Sequence, residues 1–210
     1  MPYVIKWPPA KRAVARMARL AALGLLVAGA MGALASSAMA DAPSCAPATL
    51  TQPFSNWNDS NWYTPAPGVS PDNFDGTDWT LLGGASVVST DLADGTTGNV
   101  LDLSGRSMAI SPPMCIDLTY QTARAMVRHL SGHGGVSVAA VYQDASSGDW
   151  TRFEFGGVLT GDEDWAPSYP VNLKPATSSD PQMVRFAFGS VGRHSHAQLY
   201  NFYVDPYAKG

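Results

Sequence analysis

The chain has 210 residues, with 13 Lys and Arg against 17 Asp and Glu and a formal net charge of −4. Such a balance argues against nucleic acid or an anionic membrane surface as partner, because phosphate binding needs a cationic footprint. The length suits one folded domain once an N-terminal leader is set aside.

The leader comes first. Lys6, Lys11, Arg12, Arg16 and Arg19 form a basic start, Leu20 to Ala35 is apolar, and Ala38-Met39-Ala40 places small residues where a signal peptidase reads. This is the pattern of a secretory signal over residues 1–40, with cleavage after Ala40. A membrane anchor is the alternative, but an apolar run of about 16 residues falls short of the roughly 20 that cross a bilayer. No later segment is long and apolar enough to span, so the mature form is expected to be extracellular without a transmembrane anchor. Loss of the five leader cations leaves eight basic residues against 17 acidic ones, a mature charge of about −9. In an exported chain the two cysteines, Cys45 and Cys115, are expected to form a disulfide. It would close a loop of about 70 residues, worth roughly 4 kcal/mol in the chain-entropy model.

Residues 41–71 carry prolines at 43, 47, 53, 65, 67 and 71, with Phe54, Trp57, Trp62 and Tyr63 between them. Proline at that density forbids a long helix. The segment reads as an extended arm against the domain, pinned by Cys45 and its aromatics. Trp57 and Trp62 either cover a hydrophobic edge or form an exposed stacking platform.

The domain proper is expected over 72–210. It opens with a turn, Asn73-Phe74-Asp75-Gly76-Thr77-Asp78, that leads through Trp79 into a strand. Strands are expected over 79–89, 99–103, 106–111, 123–130, 135–144, 150–158, 169–173, 182–189 and 197–204. Several alternate with period 2: Val136, Val138, Ala140 and Tyr142 share one face, and Val184, Phe186 and Phe188 point away from Arg185. Asp94-Gly95, Ser147-Gly148-Asp149, Gly161 to Asp164 and Ser178 to Pro181 supply turns between them. Some nine strands and no convincing amphipathic helix indicate an all-β fold, a two-sheet antiparallel β-sandwich of jelly-roll type.

Four groups of residues bear on chemistry. Asp72, Asp75 and Asp78 crowd one turn and could hold a hard cation such as calcium, or could cap backbone amides in a solvated turn. Asp162-Glu163-Asp164 is a weaker case of the same kind. His194 and His196 would share a face if extended, but zinc needs a third ligand, and His129 and His133 are not placed by the sequence. Glu154 alternates with Arg152, opposite Phe153 and Phe155. It could be half of a glycosidase pair, but no partner carboxylate can be named. No Gly-x-Ser-x-Gly elbow is present. Trp150, Trp165, Tyr142, Tyr169 and Tyr200 lie near loops and are candidates to stack on sugar rings, with core or rim packing as the alternative for each.

With these residues in view, the chain resembles the galactose-binding-like jelly rolls, which include many carbohydrate-binding modules. Their opening turn, Trp and Gly-Gly-Ala strand have counterparts in Asn73-Phe74-Asp75-Gly76, Trp79 and Gly83-Gly84-Ala85, and their closing strand has one in Leu199 to Tyr207. It also looks like a family of small secreted actinobacterial proteins. The shared marks are Cys45, Gln52-Pro53-Phe54, Trp57, Ser111-Pro112-Pro113-Met114-Cys115 and Val204-Asp205-Pro206-Tyr207. The first resemblance implies a calcium shared between the opening turn and an Asp of the closing strand. Asp75 keeps the former; the latter falls at Tyr200 or Asn201, of which Asn201 can offer an amide oxygen. Fold likeness does not by itself confer sugar binding.

The expectation is therefore a secreted, non-catalytic binding domain without a cofactor, a structural calcium at Asp72, Asp75, Asp78 and Asn201 being the alternative that the resemblance leaves open. Its expected partner is a cell-envelope or extracellular glycan. The alternative is an extracellular structural or protein-interaction domain without a small ligand.

Overall fold

The computed structural model describes residues 45, 48–132, 135–176 and 181–206. The expected leader with its cleavage site, His133 and Tyr207 lie outside the described residues. A short 3₁₀ turn at Ser55–Trp57 precedes the strands. These are β1 (Thr64–Pro65), β2 (Val69–Ser70), β3 (Asn73–Phe74), β4 (Thr80–Leu82), β5 (Ser86–Asp91), β6 (Thr97–Ser104), β7 (Met108–Ile110) and β8 (Met114–Ile116). They continue with β9 (Thr122–Ser131), β10 (Val136–Gln143), β11 (Trp150–Leu159), β12 (Ala166–Pro167), β13 (Val171–Asn172), β14 (Gln182–Ser190) and β15 (His196–Asp205). Among the described residues, no helix is long and apolar enough to cross a membrane.

Two antiparallel sheets form the sandwich. The seven-stranded sheet runs β12-β9-β15-β6-β5, with β1 added to β15 and β13 to β9. The six-stranded sheet runs β11-β10-β14-β7-β4, with β8 added to β14. The inner faces meet through apolar side chains. Phe186 and Phe188 of β14 pack against Phe202 of β15 at 5.0 and 4.8 Å between ring centroids, edge-on as ring quadrupoles favour. Val136, Val138, Ala140 and Tyr142 of β10 are all buried, as their alternation requires.

Trp79 ends the opening turn inside the core. It packs on Phe74 at 4.7 Å and on Phe188 at 5.4 Å, and its indole N–H donates to the Pro67 carbonyl at 2.7 Å. The strand expected over 79–89 is two strands. Gly83 and Gly84 sit between β4 and β5 at φ +64° and +96°, and a Cβ on Gly83 would lie 2.9 Å from the Arg106 carbonyl oxygen. Only glycine reaches that turn without strain.

The proline-rich segment lies on the sandwich through Phe54 and Tyr63 rather than through its tryptophans. Phe54 is buried against Tyr63 and Tyr203, β1 extends the seven-stranded sheet beside β15, and Trp57 and Trp62 remain 36% and 49% exposed. Arg124 forms a short ion pair with Asp59 and lies over the Phe54 ring. Cys45 and Cys115 are joined, with Cα atoms 5.4 Å apart, which ties the start of the segment to β8.

Candidate functional site

The unusual feature of this sandwich is the outer face of the six-stranded sheet. Pairing registers decide which side chains share it, because directly opposed residues point the same way. Opposite Ser137, Ala139 and Val141 of β10 stand Val158, Phe155 and Phe153 of β11 on one side, and Gly189, Ala187 and Arg185 of β14 on the other. Ala187 and Gly189 in turn face Ile110 and Met108 of β7, and Met108 faces Leu82 of β4.

Phe153 is 63% exposed and Phe155 50%, while Met108 and Leu82 are 44% and 46% exposed. This is a contiguous apolar surface of the kind that marks a binding site. Its relief makes a groove of about 460 Å³. Ser137, Ala139, Ala187 and Gly189 are small and form the floor. Phe153 and Phe155 stand along one wall and Met108 along the other. The turn residues Arg106 and Arg193 close one end. Beyond the other end, Arg185 lies 4.4 Å from the Trp150 ring centroid.

Two bulges in β11 set this arrangement. The register with β10 shifts between Val138 and Ala139 and again between Tyr142 and Gln143, leaving Gly156 and Thr151 as the extra residues. A one-residue shift moves a whole strand segment to the other face. Phe153, Phe155 and Trp150 are thereby turned outward, and Arg152 and Glu154 take the opposite side. Glu154 lies 3.7 Å from Arg152 and 4.0 Å from Lys174, away from the groove. Phe153 and Phe155 were not among the expected site residues. The signal was the Gly156-Gly157 pair that follows the alternation, since glycine inside a strand pattern marks a bulge.

The expected stacking residues do not gather in one place. Tyr142 is buried, its hydroxyl donates to the Leu173 carbonyl at 2.7 Å, and the Arg152 guanidinium covers its ring at 3.8 Å. Burial pushes its phenol well above the ordinary value, against the pull of Arg152. Tyr200 is also buried, and its oxygen accepts the Ala93 N–H at 3.3 Å. Burial raises this phenol to about 12, partly offset by that Ala93 contact. Neither ring presents a face to a ligand. Trp165 packs edge-on against Tyr200 at 4.8 Å, donates to the Asp91 carbonyl at 2.8 Å and carries Arg128 over its ring at 4.6 Å. It is a cover for Tyr200. Trp150 lies on the groove face opposite Gln143, stacked with Arg185. Tyr169 is 82% exposed and lines a separate recess with Trp57, Arg124, Asp162 and Ser168.

Asp72 and Asp75 of the opening turn are hydrogen-bonded within the protein. The Asp72 N–H donates to Asn201 Oδ1, and Asn201 Nδ2 returns a bond to Asp72 Oδ1, both at 2.9 Å. Asp75 Oδ1 accepts the Thr77 N–H at 2.7 Å. Asp72, Asp78 and Asn201 all adopt positive φ. Among the described residues, no three acidic, His or Cys side chains converge as a metal group. His196 pairs with Asp102 at 2.8 Å on the seven-stranded sheet, while His194 sits exposed in the preceding turn.

No protein-family model matches the chain, and no curated protein matches it in sequence. Among solved structures it is similar to the CBM22-1 xylan-binding domain of Paenibacillus barcinonensis Xyn10C, with 14% identity, TM-score 0.42, and coverage of 69% of this chain and 94% of that one. It is also similar to the CBM22-1–GH10 portion of a Clostridium thermocellum endo-1,4-β-D-xylanase solved with xylohexaose. There the identity is 14%, the TM-score 0.46, and the coverage 70% of this chain but 28% of the xylanase. A third, TmCBM61 in complex with β-1,4-galactotriose, has 13% identity and TM-score 0.34, with 61% of this chain and 88% of that one covered. Identities this low carry nothing about the ligand of this chain.

Proposed function

We propose that this chain is an exported, non-catalytic glycan-binding domain whose ligand lies along the groove between β11 and β7. The observation that carries this reading is the pair of outward rings, Phe153 and Phe155, beside a floor of residues too small to fill the space. Sugar rings have apolar C–H faces, and two phenyl groups spaced two residues apart on one strand, about 7 Å, offer successive platforms for them. Export is part of the same proposal, and the disulfide is compatible with it.

Affinity electrophoresis in gels containing soluble plant, fungal and bacterial polysaccharides tests the reading. At least one polymer should retard the wild type. Phe153→Ala and Phe155→Ala should each weaken that retardation about tenfold, corresponding to loss of about 1–2 kcal/mol of apolar contact. Because both rings are exposed, neither change should alter the melting temperature appreciably. Retardation by no polymer, or equal retardation of all three proteins, would refute the proposal.

An interaction domain for another protein is the second reading, favoured by the same exposed apolar residues. A broad partner would also bury Val158 and Leu82, which lie outside the groove lining. Val158→Asp and Leu82→Asp should then abolish association with that partner, and no polysaccharide should retard the wild type.

A further inference from the structure

The groove face is also electrostatically unusual. None of the strand residues whose registers place them on it is acidic, although the chain carries 17 Asp and Glu. Three arginines border it: Arg106 and Arg193 at one end and Arg185 at the other. None has a carboxylate partner among the described residues. Cations elsewhere are matched: Arg124 by Asp59, Arg152 and Lys174 by Glu154, and Arg128 by the Gln198 side-chain oxygen. Arg185 is at least stacked on Trp150, and its Nε is buried without a hydrogen-bond partner. Arg106 and Arg193 are exposed at the groove mouth.

The turns that carry them abut. The Gly105 N–H donates to the Ser195 carbonyl at 2.9 Å, and a Cβ on Gly105 would lie 3.6 Å from the Arg193 carbonyl oxygen. Two guanidiniums are thus presented at one end of an otherwise neutral channel.

We infer that the glycan held in this groove carries an isolated carboxylate, a uronate on a largely neutral chain, and that Arg106 and Arg193 read it. The inference rests on the groove being the glycan site. A guanidinium fork matches a carboxylate bidentately, which makes arginine the residue suited to this task. The floor of Ala139, Ala187 and Gly189 offers nothing to a second charge, and an acidic protein repels a dense polyanion. A sparsely charged chain fits both conditions: its sugar faces lie on Phe153 and Phe155 while one acidic unit reaches the arginines.

The test compares matched ligands. A glucuronic-acid-substituted xylan, gellan and a highly methyl-esterified pectin, all sparsely charged, are each titrated beside the same polymer after chemical reduction of its carboxyls, with dextran sulfate as a dense polyanion. The proteins are wild type, Arg106→Ala/Arg193→Ala and Phe153→Ala. Wild type should bind at least one native polymer roughly tenfold more tightly than its reduced form. That preference should shrink at 1 M salt, where the screening length falls to about 3 Å. The double arginine variant should bind both forms at the affinity of the reduced one. Both changed side chains are exposed and unpaired, so its melting temperature should match wild type.

Equal affinity for native and reduced polymers, or a preference that survives in the double variant, would overturn the uronate assignment. If Phe153→Ala still weakened binding, the groove reading would stand without it. Tighter binding to dextran sulfate than to any uronate would overturn the choice of carboxylate. Absence of binding to every native and reduced polymer would overturn both the inference and the groove reading.

Discussion

Phe153 and Phe155 show how little a side chain's character settles about its place. Their alternation with Arg152 and Glu154 is plain in the sequence, and the hydrophobic effect alone would send the phenyl rings inward. That preference is outweighed by register, because a single extra residue at Gly156 reverses the facing of the segment before it. Arg152 tolerates the inward side by stacking on Tyr142 and bonding the Lys174 carbonyl and Gln182. The opposite error applies to Trp165 and Tyr200, which lie near loops yet form a packed pair over the seven-stranded sheet. Trp165→Ala should therefore cost stability rather than affinity. Removing a half-buried indole that packs on Tyr200 should lower unfolding free energy by about 2–3 kcal/mol, read by urea denaturation. Glycan retention should be unchanged.

At the scale of elements, the strands with clean alternation, β10 and β14, were legible to within a residue or two. The short ones, β1 to β3, β8, β12 and β13, were mostly not. Pieces of two or three residues, most of which contain or adjoin proline, carry no periodic signal, and they form because a neighbouring strand offers them a ladder. β15 is almost wholly buried, with Trp165 and Phe54 packed over its Tyr200 and Tyr203, so its sequence reads as an apolar run rather than an alternation. The candidate site was less legible than the strands, since it depends on two register shifts, and only the Gly156-Gly157 pair hinted at one. The Cys45–Cys115 link joins segments 70 residues apart and was readable from the cysteine count taken with the expected leader. Paired replacement, Cys45→Ser with Cys115→Ser, should destabilise the domain by up to about 4 kcal/mol by freeing the unfolded chain. Thermal unfolding with and without reductant gives the comparison. The groove lies on strands whose pairing does not need Cys45, so binding by the folded fraction should persist.

For the molecule as a whole, the tyrosines report the integrity of the seven-stranded sheet and the segment across it. Burial raises Tyr63, Tyr200 and Tyr203 from the ordinary 10.0 to about 12, with the Asp59 contact adding to the rise at Tyr63. A raised value in the folded state favours the protonated phenol. The stabilisation it gives is therefore complete below pH 10 and fades as pH climbs toward 12. Tyrosinate absorbance should show these three ionising well above pH 10, and their ionisation should coincide with loss of the near-ultraviolet circular dichroism signal. Ionisation of all tyrosines together near pH 10 in the folded protein would contradict the packing described.

Hydroxyl-radical footprinting reads the two outward rings and a ligand upon them at once. In the free protein Phe153 and Phe155 should oxidise readily while Phe186 and Phe188 stay protected. A polysaccharide that retards the protein in gels should then shield Phe153, Phe155 and Met108, leaving the reactivity of Tyr169 unchanged. Unreactive Phe153 and Phe155 in the free protein, or rings that stay equally reactive while bound polysaccharide shields Tyr169 and Trp57, would contradict the account.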